Sequence, residues 1–181
     1  EQLQLLIDRM PLGFILWNRT MQVELWNPMA ETIFGFTAQE AMGKHAEDLI
    51  VPPEVRELVA GVWDRLMAGD TAAHSDNENA TKDGRRIICS WYNTPLRAAD
   101  GTVTGALSMV QDITERRKIE DAIVQGKQDW EATFDTITDM ITIHDEDFNI
   151  IRSNKAASQI LGLSWLEMGR AKCFEYYHGS A

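Results

Sequence analysis

The stretch Trp26-Asn-Pro-Met-Ala-Glu-Thr-Ile-Phe-Gly-Phe-Thr-Ala-Gln-Glu40 decides how the chain folds. Asn27 suits a helix N-cap, because its side-chain oxygen can accept from a free N–H of the first turn. Pro28 follows at the first helical position, where a missing N–H costs nothing. Ile33 and Phe34 turn inward, and Gly35 ends the helix in the left-handed conformation that glycine tolerates. Thr37 and Glu40 then read as a capping box for a second short helix that stops at Gly43.

The same order returns 127 residues later. Asp8-Arg-Met-Pro-Leu-Gly-Phe-Ile-Leu-Trp17 resembles Asp135-Thr-Ile-Thr-Asp-Met-Ile-Thr-Ile-His144. Asn27 pairs with Asn154, Ala30 with Ala157, Ile33 with Ile160 and Gly35 with Gly162. The capping box recurs as Ser164-Trp-Leu-Glu167, and Gly43 matches Gly169 with a slip of one residue. Apolar pattern, cap and turn thus repeat in order, as in a duplicated unit. The second copy starts near residue 130 and has room for only the first half of the unit, so it is expected to be incomplete.

Working outward, Leu3, Leu6, Ile7 and Met10 have helical spacing, which predicts an amphipathic helix over 1–10 stopped by Pro11. Gly13–Trp17 and Gln22–Trp26 read as short strands around a polar turn. Pro52-Pro53 opens a longer helix, whose Val55, Leu58, Val59, Val62, Trp63, Leu66 and Met67 form a stripe expected to face the core. Three strands follow, His74–Thr81, Arg85–Leu96 and Thr102–Gln111, joined at Asp83-Gly84 and Asp100-Gly101. Asp112 or Thr114 can cap a last helix. Ile119, Ile123, Gly126, Trp130, Thr133 and Ile137 are spaced as a coiled-coil seam, weakened by Gly126 and Thr133.

Three of these stretches, taken in order, carry a family. Trp26–Glu40, Thr81-Lys-Asp-Gly84 and Asp112-Ile-Thr-Glu-Arg-Arg117 resemble a PAS sensory domain of the bacterial sensory-box type. The resemblance implies an α+β fold, a five-stranded antiparallel sheet with helices on one face. It divides the chain into a PAS domain at 1–112, with 1–10 as its cap helix, a signalling helix at 113–129, and the front half of a second PAS domain at 130–181. It also implies that Asp112 and Thr114 carry a signal from the last strand to the output helix. Such modules sit upstream of histidine kinases, diguanylate cyclases and phosphodiesterases.

Light-sensing flavin members of that family carry a Gly-Arg-Asn-Cys-Arg-Phe-Leu-Gln segment. Here the aligned stretch is Gly43-Lys-His-Ala-Glu-Asp-Leu-Ile50, so Ala46 replaces the photoadduct thiol and Glu47 the phosphate-pairing Arg. Thiol photochemistry is therefore excluded. Asn79 still matches a flavin-contacting Asn, while its strand partner is Cys89. Trp26, Trp63, Trp91 and Tyr92 are candidates to wall a pocket, with Asn79 and Asn93 reading a ligand's edge. The cavity candidates are thus Asn79, Trp91, Trp63, Cys89 and Asn93. A flavin without photochemistry, another small metabolite, or plain core packing all remain open. Haem is disfavoured, because the long helix that usually supplies the axial His holds none. Cys173 and His178 are two ligands at most, so no metal site is assigned. His144 reads as a half-buried structural residue.

Of the 181 residues, 17 are Lys or Arg and 28 are Asp or Glu, for a net charge of −11. Such a chain has no general attraction for nucleic acid or an anionic membrane. The longest apolar run, Met10–Trp17, is far short of the roughly 20 residues of a membrane span. Two cysteines make no disulfide framework, and no leader peptide is visible, which together suit the cytoplasm. The charges of Arg116, Arg117 and Lys118 are balanced by Glu115, Glu120 and Asp121, so that face of the helix reads as solvated. No phosphate loop or nucleophile set is present, and no catalysis is expected within the chain. It reads as a segment of a longer signalling protein, dimeric through Leu3, Leu6, Ile119 and Ile123, with a kinase or cyclase domain downstream and a small-molecule ligand. A ligand-free dimerisation spacer is the other reading.

Overall fold

The computed structural model describes residues 2–70 and 73–162. The chain divides into two compact units, the first ending at Lys118 and the second beginning at Ile119. In the first unit, α1 (Gln2–Asp8) precedes strands β1 (Gly13–Asn18) and β2 (Val23–Trp26). Short helices α2 (Pro28–Phe34), α3 (Ala38–Ala41) and α4 (Ala46–Leu49) follow. A single 3-10 turn at Pro53–Val55 leads into α5 (Arg56–Met67). Strands β3 (Ala73–Ala80), β4 (Arg86–Arg97) and β5 (Val103–Asp112) complete the sheet, and α6 (Thr114–Thr136) begins at its end. The strand order is β2-β1-β5-β4-β3, antiparallel throughout. The expected five-stranded antiparallel α+β fold is the observed one.

One buried amide organises the start of the sheet. Asn27 is 2% exposed and uses all four of its side-chain hydrogen-bonding positions. Its Oδ1 accepts from the N–H of Phe14 (2.8 Å) and of Ala30 (2.9 Å). Its Nδ2 donates to the C=O of Ile7 and of Leu12, both at 3.0 Å. The end of α1, the start of β1 and the first turn of α2 are thereby tied to one side chain. Asn154 does the same in the second unit, accepting from Ile141 and Ala157 and donating to Ile137 and Asp139. The duplication extends to the backbone: Gly35 and Gly162 both close their helices at positive φ. Met21 and Phe148, also 127 residues apart, both take positive φ in the turn before the second strand.

The second unit is described as far as strands β6 (Thr142–His144) and β7 (Ile150–Ser153) and helix α7 (Lys155–Leu161). The capping box expected at Ser164–Glu167, and Cys173 and His178, lie outside the described residues. Helix α6 runs unbroken through position 129, where the connector was expected to give way to the second domain. By the 127-residue offset, its last turns occupy the place that α1 holds in the first unit. His144 is exposed rather than half-buried. Its counterpart Trp17 is covered because β1 pairs with β5, whereas β6 pairs only with β7 among the described residues.

The core lies on the helix side of the first sheet, around Ile15, Trp26, Phe34, Ile87, Trp91 and Val110. Phe34 packs between Trp26 and Trp91, with ring centroids 5.4 and 6.0 Å away. The stripe of α5 departs from expectation. Only Leu66 is buried, and Leu58 is 53% exposed. The helix does not press its whole apolar face onto the sheet, because a cavity lies beneath it.

Asn27→Ala removes a cap and leaves buried backbone groups without partners. It is expected to lower the stability of the first unit by about 2–4 kcal/mol. Urea denaturation followed by tryptophan fluorescence measures this, and a loss under about 0.5 kcal/mol would remove the amide from its organising role.

Candidate functional site

The cavity has a volume of about 60 Å³ and lies between α5 and the inner face of the sheet. Val59, Val62, Trp63 and Leu66 of α5 form its roof. Strand alternation sets its floor: Ser75, Asn77 and Asn79 of β3 and Trp91 and Asn93 of β4 point inward, two residues apart. Trp17 of β1 and Ser108 of β5 close the far side. No charged side chain lines it among the described residues.

Two polar relays run through the wall. In the first, the Trp91 indole N–H donates to Asn79 Oδ1 (3.0 Å), which also accepts from Asn77 Nδ2 (3.2 Å). Asn79 Nδ2 donates to the C=O of Ile50 at 2.9 Å. In the second, the Trp17 indole N–H donates to Ser108 Oγ (3.0 Å), whose hydroxyl donates to Asn93 Oδ1. Asn93 Nδ2 then donates to the C=O of Ala73 (3.3 Å). Register explains this relay, since Asn93 lies opposite Ala73 on one side and Ser108 on the other. Every buried side-chain N and O among the described residues has a partner. The amides that were expected to read a ligand's edge are thus already engaged by the protein.

Four of the five expected cavity residues, Asn79, Trp91, Trp63 and Asn93, are on the wall. Cys89 is not. It is fully buried two residues from Trp91 on the same face of β4, packed in the core. Burial, and secondarily the negative charge of Asp112, push its thiol above the ordinary range, so it presents no thiolate. Trp26 is also off the wall. It packs on Phe34 and donates its indole N–H to the C=O of Phe36. Tyr92 is exposed on the opposite face of β4, against His74. Trp17 and Ser108 were missed, although a lone hydroxyl on the inward face of the apolar run Ala106–Val110 was a readable sign. None of the described histidines lines the cavity, and His45 Nδ1 instead accepts from the Glu47 N–H at the start of α4.

The open space beneath α5 is small, about 60 Å³. Both candidate edge-reading amides are held by protein partners, Asn79 by Ile50 and Asn93 by Ala73.

The junction between β5 and α6 is built at the end of the sheet. The β4–β5 ladder stops at the pair Cys89–Asp112, which leaves the backbone of Ile88 without a strand partner on that side. The junction satisfies both groups: the Ile113 N–H donates to the Ile88 C=O (2.8 Å), and Thr114 Oγ1 accepts from the Ile88 N–H (2.9 Å). Asp112 Oδ1 accepts from both the N–H and the hydroxyl of Thr114 (2.9 and 2.6 Å). The first turn of α6 is thus bonded to the strand that carries Trp91 and Asn93. Of the residues expected at a dimer contact, Leu6, Ile119 and Ile123 are exposed by 59%, 60% and 67%. The side chain of Leu3 lies outside the described set.

Comparison with known proteins agrees with this fold. The family model described as PAS fold matches residues 7–118, and a second, described as PAS domain, matches 128–178. The chain is 25% identical over 127 residues to the probable diguanylate cyclase DgcE of Escherichia coli (strain K12). The match covers 66% of this chain and 11% of the length of that relative. Among solved structures it is similar to a PAS domain from Colwellia psychrerythraea, with a TM-score of 0.59 and 18% identity over 63% of this chain and 96% of that one. A sensory box histidine kinase/response regulator from Burkholderia thailandensis gives a TM-score of 0.56 and 19% identity over 73% of this chain and 99% of that one. At these identities the structural matches speak for the fold.

The Cys89 thiol is expected to resist iodoacetamide in the native protein even at about pH 9, where a free cysteine ionises, and to react on unfolding. Peptide mapping, which separates Cys89 from Cys173, gives the answer. Rapid native labelling of Cys89 would contradict its burial.

Proposed function

The chain belongs to the PAS family, and we propose that its first unit is the sensory module of a bacterial signal-transduction protein, taking a small neutral ligand beneath α5 and passing its state to α6. One observation carries this reading. Strand β4 supplies both the cavity wall, at Trp91 and Asn93, and the partner of the output junction, at Ile88. A ligand that moves the wall therefore moves the residue to which α6 is bonded. The uncharged lining and paired amides favour a small, mostly apolar molecule over an ion. We place the domain limits as the sequence suggested, a PAS domain to 112, a signalling helix, and a second PAS domain from 130.

The signal would leave through a homodimer. Ile119 and Ile123 are exposed on α6 one turn apart, and Leu6 is exposed on α1. Exposed apolar residues at that spacing suit a helix pair. The cyclase and kinase relatives support an output domain of one of those classes in the full protein. No helix among the described residues is long and apolar enough to cross a membrane.

Val62→Phe grows a side chain into the cavity and stands in for an occupant. Amide exchange over 113–121 is expected to change while the sheet core keeps its protection. Thr114→Val removes about 1 kcal/mol of bonding, so exchange there should rise roughly fivefold and the response to Val62→Phe should shrink. A filled cavity with unaltered α6 exchange would leave a ligand-free spacer instead. Separately, Ile119→Asp combined with Ile123→Asp is expected to convert a dimer to monomer in sedimentation equilibrium. An unchanged mass would remove this interface.

A further inference from the structure

The residues of β3 that face the cavity alternate with residues on the outer face of the sheet. Between Ser75 and Asn77 stands Asp76. Its Oδ2 accepts from Nη2 of Arg117, at 2.6 Å, across 41 residues of sequence. Arg117 is three residues beyond Thr114, and its own N–H already bonds to the Ile113 C=O as part of the first turn of α6. Asp76 is well seated. It lies opposite Ser90 in the β3–β4 register, and its side chain is 29% exposed. The Ser90 hydroxyl first, and the Arg117 guanidinium second, hold its carboxyl below the ordinary range. His74 Nε2 lies 3.0 Å from Ser90 Oγ and 3.5 Å from Asp76 Oδ1, with its ring against Tyr92.

The first turn of α6 thus has two attachments, on different strands. One is Ile88 of β4 to Thr114, and the other is Asp76 of β3 to Arg117. Bonds to one residue of one strand leave a helix end freer to turn about its axis than bonds to two strands do. Two attachments on neighbouring strands fix that rotation. Both strands also line the cavity. We propose that Arg117 and Asp76 are positioning residues that set the rotation of the first turn of α6 against β3, and so form a second route by which the cavity reaches the output helix. This rests on the sensory reading above. An ion pair this exposed contributes little to stability. Its part is to orient the helix, and an exposed pair is also open to weakening by salt.

The test uses the full chain and hydrogen exchange over 113–121, with Val62→Phe as the cavity-filling probe. Arg117→Gln is expected to raise exchange in the first turns of α6 about two- to fivefold, the range open to an exposed ion pair, while the thermal midpoint barely moves. Introduced into Arg117→Gln, Val62→Phe should lose at least half of its effect on α6. Arg117→Lys, which keeps the charge, and the exchanged pair Asp76→Arg with Arg117→Asp should restore the response. A response of the same size in Arg117→Gln as in the parent overturns the second route and leaves the Thr114 route standing. If Val62→Phe has no effect on α6 in the parent either, the sensory reading falls, and this coupling falls with it.

Discussion

The structure depends on how backbone groups at the ends of its elements find partners. A strand or helix satisfies its own interior, but its ends leave N–H and C=O groups that cannot stay buried alone. At one end of the first unit the problem falls to Asn27, whose single amide closes gaps left by α1, β1 and α2. At the other end it falls to Thr114 and Ile113, which complete a ladder that β5 leaves one residue short. The first solution makes the fold, and is used again at Asn154. The second attaches α6. A helix that began one residue later would leave Ile88 unsatisfied, so the junction is part of the sheet and not an appendage to it.

The space under α5 follows from the same economy of partners. Trp17 and Trp91 each carry an indole N–H into the interior, and each needs an acceptor. Ser108 and Asn79 provide them, and their own groups are matched by Asn93, Asn77 and backbone carbonyls. The relays fix the orientation of the polar side chains on the wall, and of the apolar stripe of α5 only Leu66 is buried. An uncharged wall whose buried polar groups are paired would select by shape and apolar surface. A charged guest would meet no counter-charge among the side chains that line it.

Much of this was legible in the sequence, for a physical reason. Caps, turn glycines and strand alternation are local, so Asn27, Gly35, the Thr37–Glu40 box and the three long strands could be read directly, and the 127-residue repeat doubled the signal. Relations between strands were less legible. Cys89 and Trp91 share a face, yet only one reaches the cavity, because depth along the strand decides and the sequence does not state it. Ser108 meets Asn93 only through register. Arg117 looked like one of several balanced charges on a solvated helix, because its partner lies 41 residues away on β3. The stripe of α5 was correctly apolar, but periodicity says which face turns inward, not whether anything fills the space beneath it.

The period of two that makes a strand also gives it two roles. On β3, Ser75 and Asn77 face the cavity while Asp76 faces outward. On β4, Trp91 and Asn93 face the cavity, while the backbone of Ile88 serves the junction. A side chain and its neighbour in sequence cannot move independently when the backbone between them is locked on both sides by ladder hydrogen bonds. A shift at the wall would therefore be felt on the other face. What reached α6 would then depend on how many attachments received it: through the Ile88 junction alone, a translation of the helix end; with Arg117 as well, a rotation too.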